Sequence, residues 1–144
     1  MILFHVYVFG TPRPQPRPRF VNGRVVSTAS KSVKLWRSTL YRTLRHAMMG
    51  RPALTDPVRV DLIFSFKGKP DRWNKPHAIR PDKDNLEKLV LDVLKKAGVL
   101  ADDCLVAGGE TRKVWARAGG VEVTISPADT PQDDGELGAL VIEE

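Results

Sequence analysis

The stretch RPDKDNLEKLVLDVLKKAGVLADD, residues 80–103, places an acidic cluster at each end of one predicted helix. Apolar residues recur in it at helical spacing and predict a buried stripe made of Leu86, Leu89, Val90, Val93 and Ala97. We expect this helix to run from about Asp84 to Ala97. Lys95 and Lys96 suit the negative end of the helix dipole, and Gly98 suits a helix terminus. The rest of the chain is expected to form a scaffold that presents this segment.

The flanking segments predict a single α+β domain. Residues 58–66 alternate between apolar and polar side chains, as expected for a strand with one buried face. Further strands are predicted over 2–9, 20–26 with a turn at Asn22-Gly23, 104–107, 111–117 and 121–126, with a break at Gly108-Gly109. A second main helix is expected to begin near Ser27 or Thr28 and to end at Gly50. The predicted fold is therefore a mixed four- to five-stranded sheet with two main helices.

Charge divides the chain into a basic body and an acidic end. Six of the 17 Asp and Glu, but none of the 23 Lys and Arg, lie in residues 127–144. Residues 1–126 therefore carry 23 basic residues against 17 − 6 = 11 acidic ones, a net charge of +12. We predict a domain over 1–126 and a flexible acidic tail over 127–144. The basic body is typical of nucleic-acid binding, although ribosome or membrane-surface binding would give the same charge.

The first nine residues and the single cysteine indicate where in the cell the protein is expected. Residues 1–9 lack a charged leader and are too few to span a bilayer, so we interpret them as a core strand. Cys104 is the only cysteine, which excludes an intramolecular disulfide and fits a reducing cytosol. We expect Cys104 to be packed in a strand, and we expect the protein to be cytoplasmic and not bound to a membrane.

Two segments carry basic residues in a setting suited to phosphate contact. The prolines of residues 10–20 favour extended backbone, and they would hold Arg13, Arg17 and Arg19 outward with little loss of freedom on binding. The predicted loop over 68–81 adds four basic residues near Trp73, a composition suited to phosphate contact and base stacking: Lys69, Arg72, Lys75 and Arg80. A solvated proline-rich connection and a merely mobile loop remain the alternatives.

The acidic residues of the opening stretch predict a cation site. Asp82 and Asp84 are two residues apart, so their side chains converge in extended backbone, and Lys88 lies one helical turn beyond Asp84. A divalent cation keeps converging carboxylates ionised, and Mg²⁺ takes a few carboxylates while retaining waters that phosphate can replace. Asp102 or Asp103 would complete the site. The alternative is ordinary structure: a helix cap from Asp84 and Glu87, ion pairs from Lys88 to Asp84 and Asp92, and turn chemistry at 102–103.

A family resemblance favours the cation site. The run Asp82-x-Asp84-Asn85-x-x-Lys88-x-x-x-Asp92-x-Leu94, then Lys96-Ala97-Gly98 and Asp102-Asp103, resembles the core signature of the RusA family of Holliday-junction resolvases, also called crossover junction endodeoxyribonucleases. Residues 10–20 resemble the arm of phage-borne members, and Glu110-x-x-Lys113 and the last Val-x-Val-x-Ile strand match as well. The likeness covers roughly residues 3–126. The Gly108-Gly109 break and the acidic tail depart from the family pattern.

The resemblance implies a homodimeric, metal-dependent endonuclease that cuts four-way DNA junctions symmetrically in recombination and repair. Carried over by position, Asp82, Asp84 and Asp103 are the essential acids and metal ligands, Lys88 is the essential lysine, and Asp102 is a neighbour of lesser importance. The implied cofactor is Mg²⁺, with Mn²⁺ as a substitute. Two alternatives stay open: a nuclease that acts mainly on forks or flaps, and a non-catalytic basic DNA-binding module.

Overall fold

The computed structural model describes residues 1–26 and 29–128. The elements in chain order are β1 (Phe4–Phe9), β2 (Arg19–Val21), β3 (Arg24–Val26), α1 (Lys31–Met48), β4 (Val58–Lys67), α2 (Lys83–Lys96), β5 (Val106–Gly108), β6 (Thr111–Ala116) and β7 (Gly120–Pro127). Short 3-10 turns span Pro70–Arg72 and Asp103–Leu105. The predicted α+β class, with two helices and a mixed five-stranded sheet, is confirmed, and β2 and β3 form a small second sheet.

The main sheet is mixed because β4 pairs with parallel strands on one side and with an antiparallel strand on the other. Strand β7 lies between β1 and β4 and is antiparallel to both, whereas β5 and β6 run parallel to β4 along its other side. The predicted break at Gly108-Gly109 separates β5 from β6. A Cβ atom at Gly109 would overlap the carbonyl oxygen of Val60, so only glycine allows this close approach.

The core lies between the two helices and one face of the sheet. The alternation predicted for residues 58–66 holds as far as Phe64, since Val58, Val60, Leu62 and Phe64 are buried, but Ser65 is buried too and Phe66 is only half-buried. The stripe of α2 is buried as predicted, together with Leu94. Among the described residues, no helix has the length and apolar composition needed to cross a membrane.

Helix α1 departs from its predicted bounds at both ends. Ser27 and Thr28, the predicted starting residues, lie outside the described residues. The helix begins at Lys31, because the Ser30 side chain accepts a hydrogen bond from the Val33 N–H and so acts as the N-cap. It ends at Met48, Met49 is the C-cap with a left-handed φ of 53°, and the predicted terminal residue Gly50 follows with a φ of 75°.

Cys104 is not a strand residue. It lies exposed in the 3-10 turn that follows Asp102, so the expectation of a packed strand cysteine is wrong. The Asp102 side chain caps this turn, and β5 therefore begins only at Val106 instead of at residue 104.

Candidate active site at the start of helix α2

Asp82 and Asp84 lie exposed at the beginning of α2. Asp82, rather than Asp84, is the N-cap residue, yet its side chain makes no capping hydrogen bond. An aspartate in this position normally accepts a hydrogen bond from a backbone N–H of the first turn. Asp84 follows in the first turn and has no ion pair within the described residues. Both carboxylates are therefore exposed and without an ion pair in the described part of the chain.

Lys88 has no ion pair in the described part of the chain either. Asp92, its predicted partner one turn later, is bound instead by Lys96, with 3.0 Å between Nζ and Oδ2. The pairs Asp84–Lys88 and Lys88–Asp92 are thus not formed. The alternative of helix ion pairs is therefore wrong for Asp84 and Lys88, whereas Asp92 does form one with Lys96, and Lys88 is exposed.

The segment that leads into α2 is fixed by Lys113 of β6. The Lys113 ammonium donates hydrogen bonds to the carbonyl oxygens of Ile79, at 2.6 Å, and Pro81, at 2.7 Å. The Arg80–Pro81 peptide bond between these contacts is cis. Lys113 therefore fixes the position of the backbone immediately before Asp82. In the sequence Lys113 is recognisable only as a match to the family pattern, and nothing there indicates this role.

The same segment is attached to β6 by its backbone. The N–H of Asn74 donates to the carbonyl of Trp115, the N–H of Trp115 donates to that of Lys75, and the N–H of His77 donates to that of Lys113, with distances of 2.8–3.0 Å. Residues 74–77 consequently run along β6 as an additional short stretch of ladder. The predicted loop over 68–81 is in this part an ordered extension of the sheet.

Asp102 and Asp103 differ in their surroundings. Asp102 caps the 3-10 turn by accepting a hydrogen bond from the Cys104 N–H, and its Oδ1 lies 3.7 Å from Nζ of Lys95. The pKa of Asp102 lies below its ordinary value, first because of the neighbouring Asp103 side chain and then because of the Cys104 N–H and Lys95. The turn chemistry offered as the alternative therefore applies to Asp102. Asp103 is exposed and is not the capping residue.

The acids predicted to bind a metal do not form a closed cluster in the described part of the chain. Within residues 1–26 and 29–128, no three His, Cys, Asp or Glu side chains come together as a set able to hold a metal ion. Mg²⁺ is commonly bound by one or two carboxylates, with water and substrate phosphate supplying the other oxygens. The open carboxylates of Asp82 and Asp84 fit that requirement chemically.

The proline-rich arm packs against α2 and forms one wall of a cleft. Its Gln15 N–H donates to the carbonyl of Asn85 at 2.9 Å, and the Gln15 side chain accepts from Arg37 of α1 at 3.1 Å. The cleft has a volume of about 340 Å³, and its lining residues are Pro12, Arg13, Pro14, Arg80, Pro81, Asp82 and Asn85. Two of the predicted DNA-binding arginines thus share a cleft with a predicted catalytic carboxylate.

The predicted DNA-binding residues differ in their exposure. Six of them are exposed: Arg17, Arg19, Lys69, Arg72, Lys75 and Arg80. Arg13 is not held fully outward, because it is half-buried and its Nε is buried without a hydrogen-bond partner in the described chain. Arg72 lies over the ring of Trp115, with 5.4 Å between its guanidinium carbon and the ring centroid.

Comparison with known proteins connects this arrangement to a family. The family model described as endodeoxyribonuclease RusA matches residues 10–126, which include both helices, the arm and every predicted site residue. A search of curated proteins gives no match. Enzymes of the matched family are Holliday-junction resolving endonucleases, and they generally need a divalent metal ion. Because the match extends over most of the sequence, the chain belongs to the RusA family of endodeoxyribonucleases.

Proposed function

We propose that this chain is a Mg²⁺-dependent endonuclease that cuts four-way DNA junctions at the start of α2, during recombination and repair in the cytoplasm. The observation that supports this most is the set of exposed charges on the first turns of α2. Asp82, Asp84 and Lys88 have no ion pair with any described residue. Charged groups left in this state beside a basic cleft are suited to a phosphate substrate and its counterion.

The carboxylates of Asp82, Asp84 and Asp103 are the proposed ligands of the metal ion, with Asp102 in a lesser role. When bound, such an ion polarises the phosphoryl oxygen and lowers the pKa of a water molecule, and one or two ions can serve. Lys88, one helical turn beyond Asp84, stabilises the negative charge that develops on the phosphoryl oxygens. Lys113 keeps the 79–81 segment in place, so that Asp82 stays within reach of the scissile phosphate.

DNA binding is assigned to the basic residues of the arm and of the 68–81 segment. Arg13 and Arg80 line the cleft that contains Asp82, whereas the flanking segments carry Arg17, Arg19, Lys69, Arg72 and Lys75. Replacing Arg17 or Arg19 by alanine should weaken binding and reduce the log–log salt slope by about one unit each. Lys34→Ala, on the exposed side of α1, is the matched control and should leave the slope unchanged.

We also propose that the active form is a homodimer. Symmetric cutting of a junction requires two active sites related by a twofold axis, and a C2 dimer provides them. Light scattering coupled to size exclusion measures the mass directly. A monomeric mass at concentrations where junctions are cut would refute the dimer and leave the nuclease assignment standing.

The acidic tail is proposed to compete weakly with DNA for the basic body. Residues 129–144 lie outside the described residues, so this proposal rests on their charge alone. Exposed charges are screened over roughly 8–10 Å at physiological salt, so any gain in junction selectivity will be small and will fade as salt rises. The suitable comparison is a chain ending at Ala128, because β7 extends to Pro127 and the Ala128 N–H donates to the Pro57 carbonyl. Equal affinity of both proteins for duplex DNA at low salt would refute the role.

The main experiment is cleavage of synthetic DNA with and without Mg²⁺. We expect paired, symmetric cuts in a four-way junction that depend on the metal, with Mn²⁺ as a working substitute. Faster cutting of forks or flaps than of junctions would favour the first alternative. Tight junction binding without cleavage in either metal would favour the non-catalytic DNA-binding module.

A further inference from the structure

A second cleft lies at the end of the sheet where β1 and β4 finish. It has a volume of about 520 Å³, within the range of about 300–1,000 Å³ common for small-molecule sites. Four of its lining residues have aromatic rings and two are cationic: Phe9, Phe66, His77, Trp115, Lys67 and Arg117. Among the described residues that line it, none is acidic.

The aromatic walls of this cleft are arranged as flat surfaces. The His77 ring stacks on Phe66, with centroids 3.9 Å apart and planes at 20°, and it also contacts Trp115 at 4.4 Å. Burial, and after it the charge of Lys113, lowers the pKa of His77, so its ring is neutral near pH 7. A Cβ atom at Gly68 would come within 2.8 Å of Trp115, so a glycine lets that indole lie close to the backbone.

Phe9 is unusual because it is 69% exposed at the mouth of the cleft. A large exposed phenyl ring gains little from the core, but it can cover the face of a flat ligand. Lys67 and Arg117 are also exposed, so they can reach phosphates on either side of that ligand. Aromatic stacking surfaces combined with cations are typical of sites for single-stranded nucleic acid.

The cleft adjoins the candidate active site. Pro12 of the arm is buried and lines both this cleft and the one that contains Asp82 and Arg80. The two clefts therefore meet at one residue. A strand whose phosphate lies beside Asp82 can place its neighbouring nucleotides next to the aromatic walls.

We propose that this cleft binds one unpaired nucleobase of the DNA substrate, stacked on Phe9 and lying beside Trp115, whose ring Arg72 partly covers, while Lys67 and Arg117 contact the flanking phosphates. The inference rests on the proposed nuclease function, because it takes DNA to be the ligand. The cleft would also help the protein to prefer branched DNA over a continuous duplex. A junction has bases at its branch point that unstack more easily than those of a continuous duplex, so a branched substrate fills the cleft at lower cost.

Two short single strands with equal numbers of phosphates test the stacking. Binding of a thymidine octanucleotide and of an abasic octanucleotide is measured in the presence of a chelator, so that cleavage plays no part. The wild-type protein should bind the thymidine strand about 10-fold more tightly, since stacking on aromatic side chains contributes on this scale. Phe9→Ala should lower that ratio by about 5-fold, and Arg117→Ala should weaken both strands to the same degree.

Tyr41→Ala removes a partly exposed aromatic ring from α1 and serves as the matched control, with an unchanged ratio expected. Circular dichroism establishes that each variant is folded. Equal wild-type affinity for the two strands, or an unchanged ratio in Phe9→Ala, would overturn the proposal. So would a change of oligomeric state in Phe9→Ala with DNA binding intact, which would assign the cleft to a protein contact.

Photocrosslinking locates the base. A four-way junction that carries 5-iododeoxyuridine at the branch point should crosslink to Phe9, His77 or Trp115, identified by mass spectrometry. Crosslinks confined to Trp73 would contradict the proposal. The two proposals can be refuted separately. If the wild-type protein cuts junctions but binds the thymidine and abasic strands equally, only the base-binding cleft is refuted. If it prefers the thymidine strand but cuts no junction, only the nuclease function is refuted.

Discussion

The two ends of α2 contain the same kinds of residue but use them differently. Towards the C-terminal end, Asp92 is paired with Lys96, and Lys95 lies beside an aspartate of the following turn. At the N-terminal end, Asp82, Asp84 and Lys88 are exposed, and the side chain of the N-cap residue Asp82 makes no capping hydrogen bond. Solvent-exposed ion pairs contribute little to stability, so the paired end gains little by its arrangement. The other end forgoes that small gain, since its three charged side chains have no ion pair among the described residues.

The largest expected effect contrasts the carboxylates of the two ends. Asp84→Asn should reduce junction cleavage by roughly 10³-fold, because it removes a proposed metal ligand, while junction binding survives or tightens. Asp92→Asn, its counterpart two helical turns later, should cleave at nearly the wild-type rate. Single-turnover cleavage and a binding titration for both variants measure the contrast. Substantial cutting by Asp84→Asn would remove the distinction between the two ends.

The lysines provide the next contrast. Lys88→Ala should lower the cleavage rate by roughly 10²-fold with nearly unchanged affinity, as expected for a group that acts on developing charge. Lys96→Ala should change the rate little and unfold slightly more easily, since it loses the 3.0 Å pair with Asp92. Rate and affinity must be measured separately. An effect of Lys88→Ala on affinity alone would assign the residue to binding.

The third contrast is between a positioning residue and its neighbour. Lys113→Met removes both hydrogen bonds to the 79–81 segment and should lower the cleavage rate about 10-fold, since small displacements of reacting groups are costly. Lys113→Arg should recover part of the loss because a guanidinium can still donate to the carbonyls. Arg112→Ala, exposed on the same strand, is the control. A Lys113→Met protein that melts as the wild type does and cuts at full rate would refute the positioning role.

The smallest expected effect is on stability and concerns Asp61, a carboxylate that is hydrogen-bonded within the fold. It accepts from Arg59 Nε at 2.9 Å and from the Glu110 N–H at 2.9 Å, and the Arg59 hydrogen bond is the main cause that lowers its pKa below 3.8. A carboxyl group whose pKa is lower in the folded than in the unfolded protein stabilises the fold at pH values above its unfolded-state pKa. This contribution is lost as the pH falls through its folded-state pKa. Asp61→Asn should therefore unfold about 1 kcal/mol more easily at pH 7, because the group is only partly buried.

Urea unfolding of wild type and Asp61→Asn across pH measures this contribution. The difference between the two proteins should shrink as pH falls below 3.8. A difference that stays constant down to the acid limit would show that the charge of Asp61 does not contribute.

The elements with strong periodicity could be predicted from the sequence. The alternation in 58–66 and the stripe of α2 each bury one face of a regular element, so composition alone determines which residues face the core. The Asn22-Gly23 turn followed from residue type, since both residues adopt positive φ. The first residue of α1 could not be predicted in the same way. Ser27, Thr28 and Ser30 are all suitable N-cap residues by type, and only the structure shows that Ser30 is the cap.

Contacts between distant segments could not be predicted. No pattern in the sequence indicates that Lys113 binds carbonyl oxygens more than thirty residues earlier, or that Gln15 pairs with Asn85. The acids of the candidate site were found because they cluster in sequence. The aromatic cleft could not be predicted because its four rings come from four separate segments of the chain.

The attachment of residues 74–77 to β6 has a consequence for solubility. A strand at the border of a sheet exposes unpaired N–H and C=O groups that can recruit another chain. Here the segment that leads to Asp82 occupies the N–H of Trp115 and the carbonyls of Lys113 and Trp115. A substitution that detaches this segment would expose the border of β6 as well as displace Asp82. Such proteins should aggregate more readily at high concentration, so one substitution in this segment should lower solubility and displace Asp82 together.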